Sequence, residues 1–291
     1  VKALVTGAGG MLGRALVPAL ERGGHQVRAL MHADADVTQL ATLERAAAEF
    51  RPDWVFHLAA FTKVDDCERQ ADHAFLVNGL GARNAALAAA SVGASLVHVS
   101  TDYVFDGAKL SPYREYDDTG PLSVYGASKL AGERAVREVL PRHQIVRTSW
   151  LYGAGGPNFV DTILAKARAG DALKIVTDQR GAPTWTEDLA DALVRLAVTG
   201  QYGTYHVTND GFCTWHEFAV FFLAEAGIPT EVGTTDSLRF ARPARRPANS
   251  TLSNLLYQQV TGHRLPDWQD AVRRYLHSRA AAASGAVKGE T

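Results

Sequence analysis

An apolar run followed at once by three evenly spaced glycines is the feature that most limits how this chain can fold. Lys2-Ala3-Leu4-Val5 reads as a buried strand, Thr6-Gly7-Ala8-Gly9-Gly10-Met11-Leu12-Gly13 follows without a gap, and helical spacing continues through Leu20. Strand, glycine turn and helix in immediate succession predict the opening βαβ unit of a dinucleotide-binding sheet. Gly7 permits the tight turn, Gly10 lets the backbone approach a diphosphate, and Gly13 allows close helix packing. Gly9, Met11 and Leu12 complete the loop over which the diphosphate would lie, facing the free N–H groups at the helix start. The spacing is Gly-x-x-Gly-x-x-Gly rather than the commoner Gly-x-Gly-x-x-Gly, and a purely structural turn is the alternative reading.

Short apolar runs at 27–30, 54–58 and 96–100 alternate with helical spacing over 40–50 and 71–90. This alternation predicts an α/β fold with a doubly wound parallel Rossmann-type sheet covered on both faces. His57 and His98 fall at predicted strand ends, where they read as packed or locally hydrogen-bonded histidines. An acid at the end of the second strand would accept hydrogen bonds from an adenosine ribose and disfavour a 2'-phosphate. The chain instead places Arg28, Met31 and His32 there, with Asp34 and Asp36 slightly later. Arg28 and His32 are candidates for a 2'-phosphate and Asp36 for the ribose, so NADPH is favoured and NADH remains open.

Tyr125 and Lys129 stand four apart in Tyr125-Gly126-Ala127-Ser128-Lys129, which on a helix puts them on one face about 6 Å apart along the axis. An ammonium beside a phenol favours its ionised form, so Lys129 is expected to lower the pKa of Tyr125. Such a tyrosine can pass a proton to a carbonyl oxygen. Thr101-Asp102-Tyr103 follows the fourth predicted strand, where Thr101 could orient a substrate oxygen. Two hydroxyls and a lysine beside a nicotinamide suit hydride transfer. Asp102 reads either as a substrate neighbour or as an acceptor holding its own loop.

A formal net charge of −1 over 291 residues argues against a protein that binds nucleic acid by neutralising its backbone. Arg242, Arg245 and Arg246 form a local set that could hold a phosphate or line a solvated loop. Two cysteines suggest neither a disulfide framework nor a metal site. The absence of a 20-residue apolar stretch argues against a membrane span. The first residues run straight into a strand, so a cytoplasmic setting is expected. Residues 279–291 lose apolar periodicity and read as a flexible tail.

In order along the chain come Thr6 to Gly13, Asp53-x-Val55-x-His57-x-Ala59-Ala60-x-Thr62-x-Val64-Asp65, Ser100-Thr101-Asp102-Tyr103-Val104-Phe105 and Tyr125-Gly126-x-Ser128-Lys129-x-x-Gly132-Glu133. Arg147-Thr148-Ser149-Trp150-x-Tyr152-Gly153, Asp178-Gln179-x-Gly181-x-Pro183-Thr184, Arg246-Pro247 with Ser250, and Leu265-Pro266-Asp267-Trp268 follow. On these strings the chain resembles the extended short-chain dehydrogenase/reductases, and among them the dTDP-4-dehydrorhamnose reductase family, over roughly residues 1 to 278. The resemblance implies a nucleotide-binding sheet, residues 1–150 plus about 171–200, with a smaller substrate region, about 151–170 plus 201–278. It implies reduction of the C4 keto group of a dTDP-sugar, with Tyr125 as proton donor, Lys129 its activator and Thr101 the orienting hydroxyl.

By the same resemblance Ala59, Ala60, Thr62 and Asn78 fall to the cofactor side, and Val64, Trp150, Arg180 and Arg246 to the substrate side. Trp150 also reads as a core aromatic, Arg246 as a structural arginine, and Gly181 as plain turn chemistry. Trp215, Phe218, Phe221 and Phe222 recur at helical spacing and read as a packed face. The resemblance allows a homodimer and raises a magnesium effect, although no local cluster demands a metal. Two alternatives stay open. One is a reductase of another nucleotide 4-keto sugar, and the other a non-catalytic relative resembling the regulatory subunit of methionine adenosyltransferase.

Overall fold

The computed structural model describes residues 1–287. Strands β1 (Lys2–Thr6), β2 (Gln26–Leu30), β3 (Trp54–His57), β4 (Ser95–Thr101) and β5 (His143–Thr148) belong to the main sheet. Short strands follow: β6 (Leu151–Tyr152), β7 (Leu173–Val176), β8 (Arg180–Gly181), β9 (Thr184–Trp185), β10 (Gly203–His206), β11 (Cys213–Thr214) and β12 (Val232–Thr235). The main sheet runs β10-β5-β4-β3-β1-β2, and every pairing in it is parallel. From β1 the chain steps outward to β2 and then returns to β3 on the other side. That reversal leaves a crevice beyond the carboxyl ends of β1 and β3, the place where such sheets take ligands.

Alternation along the strands explains the two covered faces. Ala3 and Val5 of β1, Phe56 of β3 and Val97 of β4 point into one core, against the helices Met11–Arg22 and Thr186–Val198. Leu4, Val55 and Leu96 point the other way, against Leu40–Phe50 and Gly81–Ser91 and the alanine-rich surface these present. Both faces are covered, as an all-parallel sheet requires. A third core joins the helices Phe159–Arg168 and Trp215–Glu225 with the one starting at Trp268, through Val160, Leu164, Phe218, Phe222, Val272 and Tyr275. Phe218 and Phe222 are thus core residues, as their spacing indicates.

The chain divides between these cores differently from the boundaries expected above. β7 does not return to the main sheet: it pairs with β12, and Leu173 and Ile175 pack in the third core. Conversely β10, inside the segment expected to be purely substrate region, forms the edge of the main sheet beside β5. Tyr257 of the helix Leu255–Thr261, with Leu265, packs in the first core. Into the segment expected to be a flexible tail the last helix continues through Val287; residues 288–291 lie outside the described part. The helical stretch expected over 71–90 is interrupted by a π-helical turn at Leu76–Leu80.

Candidate active site

A cavity of about 680 Å³ opens at the carboxyl ends of β1, β3 and β4 and extends to the edge of the third core. Its wall begins at the glycine turn. Gly7 has a φ of +68°, and a Cβ there would fall 2.6 Å from the backbone nitrogen of Ala59, so only glycine lets the turn lie against the end of β3. Gly13 carries the close helix packing, since a Cβ would meet the Cα of Ala8 at 2.5 Å. The helix Met11–Arg22 starts without a side-chain cap and without an acid in its first turn. Its first intrahelical bond runs from the Arg14 N–H to the Gly10 carbonyl at 2.9 Å, leaving the preceding N–H groups free for an anion. Gly7, Gly10, Met11, Leu12 and Gly13 all line the cavity. Gly9 stands behind it, its carbonyl accepting the Arg14 guanidinium at 3.0 Å. These features fit a dinucleotide diphosphate.

Of the residues after β2, His32, Ala35, Asp36 and Val37 reach the cavity. Asp36 accepts from the Thr38 N–H at 2.9 Å and its hydroxyl at 2.8 Å, and these bonds hold its carboxyl below the ordinary value. Arg28 does not reach it. Its guanidinium pairs with Glu49 at 2.9 Å and lies against the helix Leu40–Phe50, so the expected cofactor contact gives way to an ion pair. Beyond β3, Ala59, Ala60, Thr62 and Val64 line the cavity. Asn78 does not. From the π-helical turn its amide brackets Phe61, accepting the N–H at 2.8 Å and donating to the carbonyl at 3.0 Å, and it reaches Ser128 at 3.0 Å. It ties the loop after β3 to the helix that carries Tyr125.

That helix, Val124–Val139, is started by Ser123, whose hydroxyl accepts the Gly126 N–H at 3.2 Å. Tyr125 faces the cavity from its first turn, with Tyr103 edge-on at a centroid distance of 5.8 Å. The end of β4 supplies Thr101, which donates to the Asp102 carboxyl at 2.9 Å and accepts the Tyr103 N–H at 3.2 Å. Burial pushes the Asp102 carboxyl up to about 7, with the Thr101 hydroxyl pulling against it. Burial also drives the Tyr125 phenol well above its ordinary value, again opposed by Thr101.

Lys129 lies one turn further, buried, its ammonium donating to the Val99 carbonyl at 2.7 Å. The expectation that Lys129 lowers the Tyr125 pKa is therefore not met: the lysine is turned to the backbone of β4, and burial of the phenol dominates. Burial brings Lys129 itself down to about 8, against the pull of Glu133. Below it, His57 and His98 stack at 5.4 Å with His57 bonded to the Thr6 hydroxyl at 2.8 Å, in line with their reading as packed strand residues.

The far wall is aromatic. Trp150 lines the cavity with a φ of +47°, a left-handed backbone that costs a residue of this size about 1–3 kcal/mol. Its indole stacks on Trp215 with centroids 3.5 Å apart and planes 7° from parallel. Trp215 also lines the cavity, so its reading as packing alone is corrected. Arg180 and Arg246 stand outside the wall. Arg180 lies over the Phe212 ring at 4.8 Å, and Arg246 chelates Asp65 at 3.1 and 3.0 Å, joined there by Arg242 at 3.2 Å. Partial burial would raise the Asp65 carboxyl, but the two arginines and the Ala244 N–H hold it low. Arg242 and Arg246 both pair with Asp65, and Arg246 also lies against Tyr103 of the wall.

Among the wall residues that sequence reasoning did not assign to the site are Tyr103, Ser149, Leu151, Pro157 and Trp215. The first three sit inside or beside quoted motifs; Pro157 carried no local signal. Among the described residues no group of three or more His, Cys, Asp or Glu side chains could hold a metal ion, and no helix is long and apolar enough to cross a membrane.

Comparison with known proteins places this arrangement. The family model described as "RmlD substrate binding domain" matches residues 1–280. The chain is 46% identical to a dTDP-4-dehydrorhamnose reductase of Streptomyces griseus, over 98% of this chain and 96% of the relative. It is 43% identical to a protein of Streptomyces antibioticus named a probable dTDP-4,6-dihydroxy-2-methyloxan-3-one 4-ketoreductase, over 96% of each. A crystal structure of dTDP-4-dehydrorhamnose reductase from Bacillus anthracis in complex with NADP superimposes with a TM-score of 0.92 at 37% identity, covering 95% of this chain and 99% of the other.

Proposed function

This chain belongs to the RmlD substrate binding domain family, and on that premise we propose that it reduces the C4 keto group of dTDP-4-dehydro-L-rhamnose, with NAD(P)H as hydride donor, to give dTDP-L-rhamnose. One observation carries the reading. The glycine turn, with the free N–H groups of the helix start that follows it, and the Thr101–Tyr125 hydroxyl pair line a single cavity at the carboxyl ends of the parallel strands. A reduced nicotinamide, when bound, supplies the hydride to the carbonyl carbon. Thr101 orients the carbonyl oxygen and Tyr125 gives it a proton. Lys129, one turn along the helix, anchors its ammonium on the Val99 carbonyl at the end of β4 beneath the site. The Trp150–Trp215 wall and Leu58 to Ala60 after β3 give the site an apolar border.

The deciding assay follows NADPH and NADH oxidation with dTDP-4-dehydro-L-rhamnose, beside a GDP-linked 4-keto sugar. Rapid oxidation with the dTDP sugar and rhamnose as product supports the reading; tight cofactor binding with no oxidation refutes it. A second reading, reduction of a different dTDP 4-keto sugar, draws on the 43% identical ketoreductase and predicts turnover with that sugar instead.

NADPH is the favoured cofactor on the strength of His32 alone, since Arg28 is committed to Glu49 and the ionised Asp36 stands close by. The preference for NADPH over NADH in kcat/KM should be below about tenfold, the scale of one exposed hydrogen bond. His32→Ala should narrow it, and an unchanged ratio in that variant removes His32 from the 2'-phosphate. Lys129 gives a pH prediction. With its ammonium held near 8 by burial, kcat/KM should fall as pH rises beyond about 8. A profile flat to pH 10 would show that the charge on Lys129 is not needed.

A further inference from the structure

We propose that Trp215 and Gly181 are positioning residues of the substrate pocket, gripping the Trp150 indole from its two sides and so fixing the wall against which the sugar is held. The inference rests on the reductase reading and goes beyond it, because it assigns the shape of the sugar-facing wall to two residues on other elements. On one face the Trp215 ring lies parallel to Trp150 at 3.5 Å. On the other side stands Gly181 of β8, where a Cβ would fall 2.3 Å from Cε2, 2.5 Å from Nε1 and 2.7 Å from Cζ2 of the indole. A rigid ring stacked on a second ring has no room to retreat from such a contact. Gly181 is thus required by a side chain pressed against its backbone, and not by turn chemistry, since its φ is not in the left-handed region.

Both gripping residues are firmly mounted. Gly181 pairs with Cys213 of β11, and Trp215 opens the helix Trp215–Glu225 directly after it. That helix start carries a full capping box, in which the Thr214 hydroxyl accepts the Glu217 N–H at 3.1 Å and the Glu217 carboxylate accepts the Thr214 N–H at 2.7 Å. Trp215 is further wedged by Phe159 at a centroid distance of 4.4 Å. Trp150, by contrast, sits in a strained left-handed conformation just after β5 and relies on its neighbours to stay there. The grip joins the third core to the main sheet at the point where the cavity passes from one to the other. With both of its faces covered, the indole meets the sugar by its edge.

Three variants test this from both sides of the ring. Trp215→Ala and Gly181→Ala should each raise KM for the dTDP sugar by about tenfold or more, with a smaller change in kcat and with the cofactor Kd kept within about twofold. Trp215→Phe should restore most of the loss. Tryptophan-fluorescence titration with dTDP-L-rhamnose reads the same wall without turnover. Wild-type protein that binds this ligand but does not reduce the substrate would refute the reductase reading alone. Wild-type affinity in both alanine variants would refute the grip, as would parallel losses of sugar and cofactor binding. Failure of the wild type to bind the ligand at all would overturn both.

Discussion

Tyr125→Phe should lower kcat by about 10²–10⁴-fold while leaving KM and thermal stability close to their original values. The substitution removes one oxygen and keeps the ring, so the edge-on contact with Tyr103 survives. Burial keeps the phenol protonated throughout the working pH range. This suits a donor whose acceptor becomes a strongly basic alkoxide only as hydride arrives. Thr101 stands at the same phenol and opposes its burial shift. Single-turnover rates with preloaded NADPH would isolate the chemical step. A loss of less than about tenfold there would transfer the proton to another donor.

Glu133→Ala should cost about 3–5 kcal/mol of stability, the largest loss expected from any single side chain outside the cores. Glu133 is fully buried and accepts from Arg147 at 2.9 and 2.8 Å, from the Ser100 hydroxyl at 2.7 Å and from Arg137 at 3.1 Å. Arg147 is itself buried, so removing its carboxylate strands a guanidinium beneath the sheet. Burial works against the carboxylate, but Arg147 and Ser100 outweigh it and its pKa is lowered below the ordinary 4.5. A depressed acid contributes its stability above the unfolded value and loses it as pH falls through the folded one. The gap in Tm between wild type and variant should therefore be full at neutral pH and shrink below about pH 4.5. A gap that persists unchanged into acid would mean that packing, not charge, holds this site together. Glu133 also supports Lys129 one turn away, so the variant should move the alkaline limb of activity to lower pH.

The main sheet was legible because its signals are local. Strand, glycine turn and helix lie within twenty residues, and the remaining parallel strands are short apolar runs between helical spacings. The cavity residues at the ends of β1, β3 and β4 came with those strands. The share-out of the later segments was not legible, since β7 and β10 are both four residues long and only their partners decide which core they join. Charge pairing was invisible for the same reason. Arg28 with Glu49 and Arg246 with Asp65 are separated by 21 and 181 residues, so free arginines and committed ones look alike in sequence. Trp215 was misjudged because helical spacing reports which side of a helix is apolar and cannot say that its first residue also faces a cavity. Lys129 shares the expected helix with Tyr125, yet four-residue spacing does not fix where a long flexible ammonium points.

The repeated passage of the chain between the cores has a consequence for how such a protein can acquire new substrates. After β5 it enters the third core, returns through the helix Thr186–Val198 and β10, leaves again, and comes back at Tyr257 before the last helix. The sugar-facing half is therefore not a cassette that recombination can cut out and replace in one piece. Change has to come by point substitution around a shared scaffold, and residues such as Trp150, which one lobe supplies and the other holds, are where single steps carry the most weight.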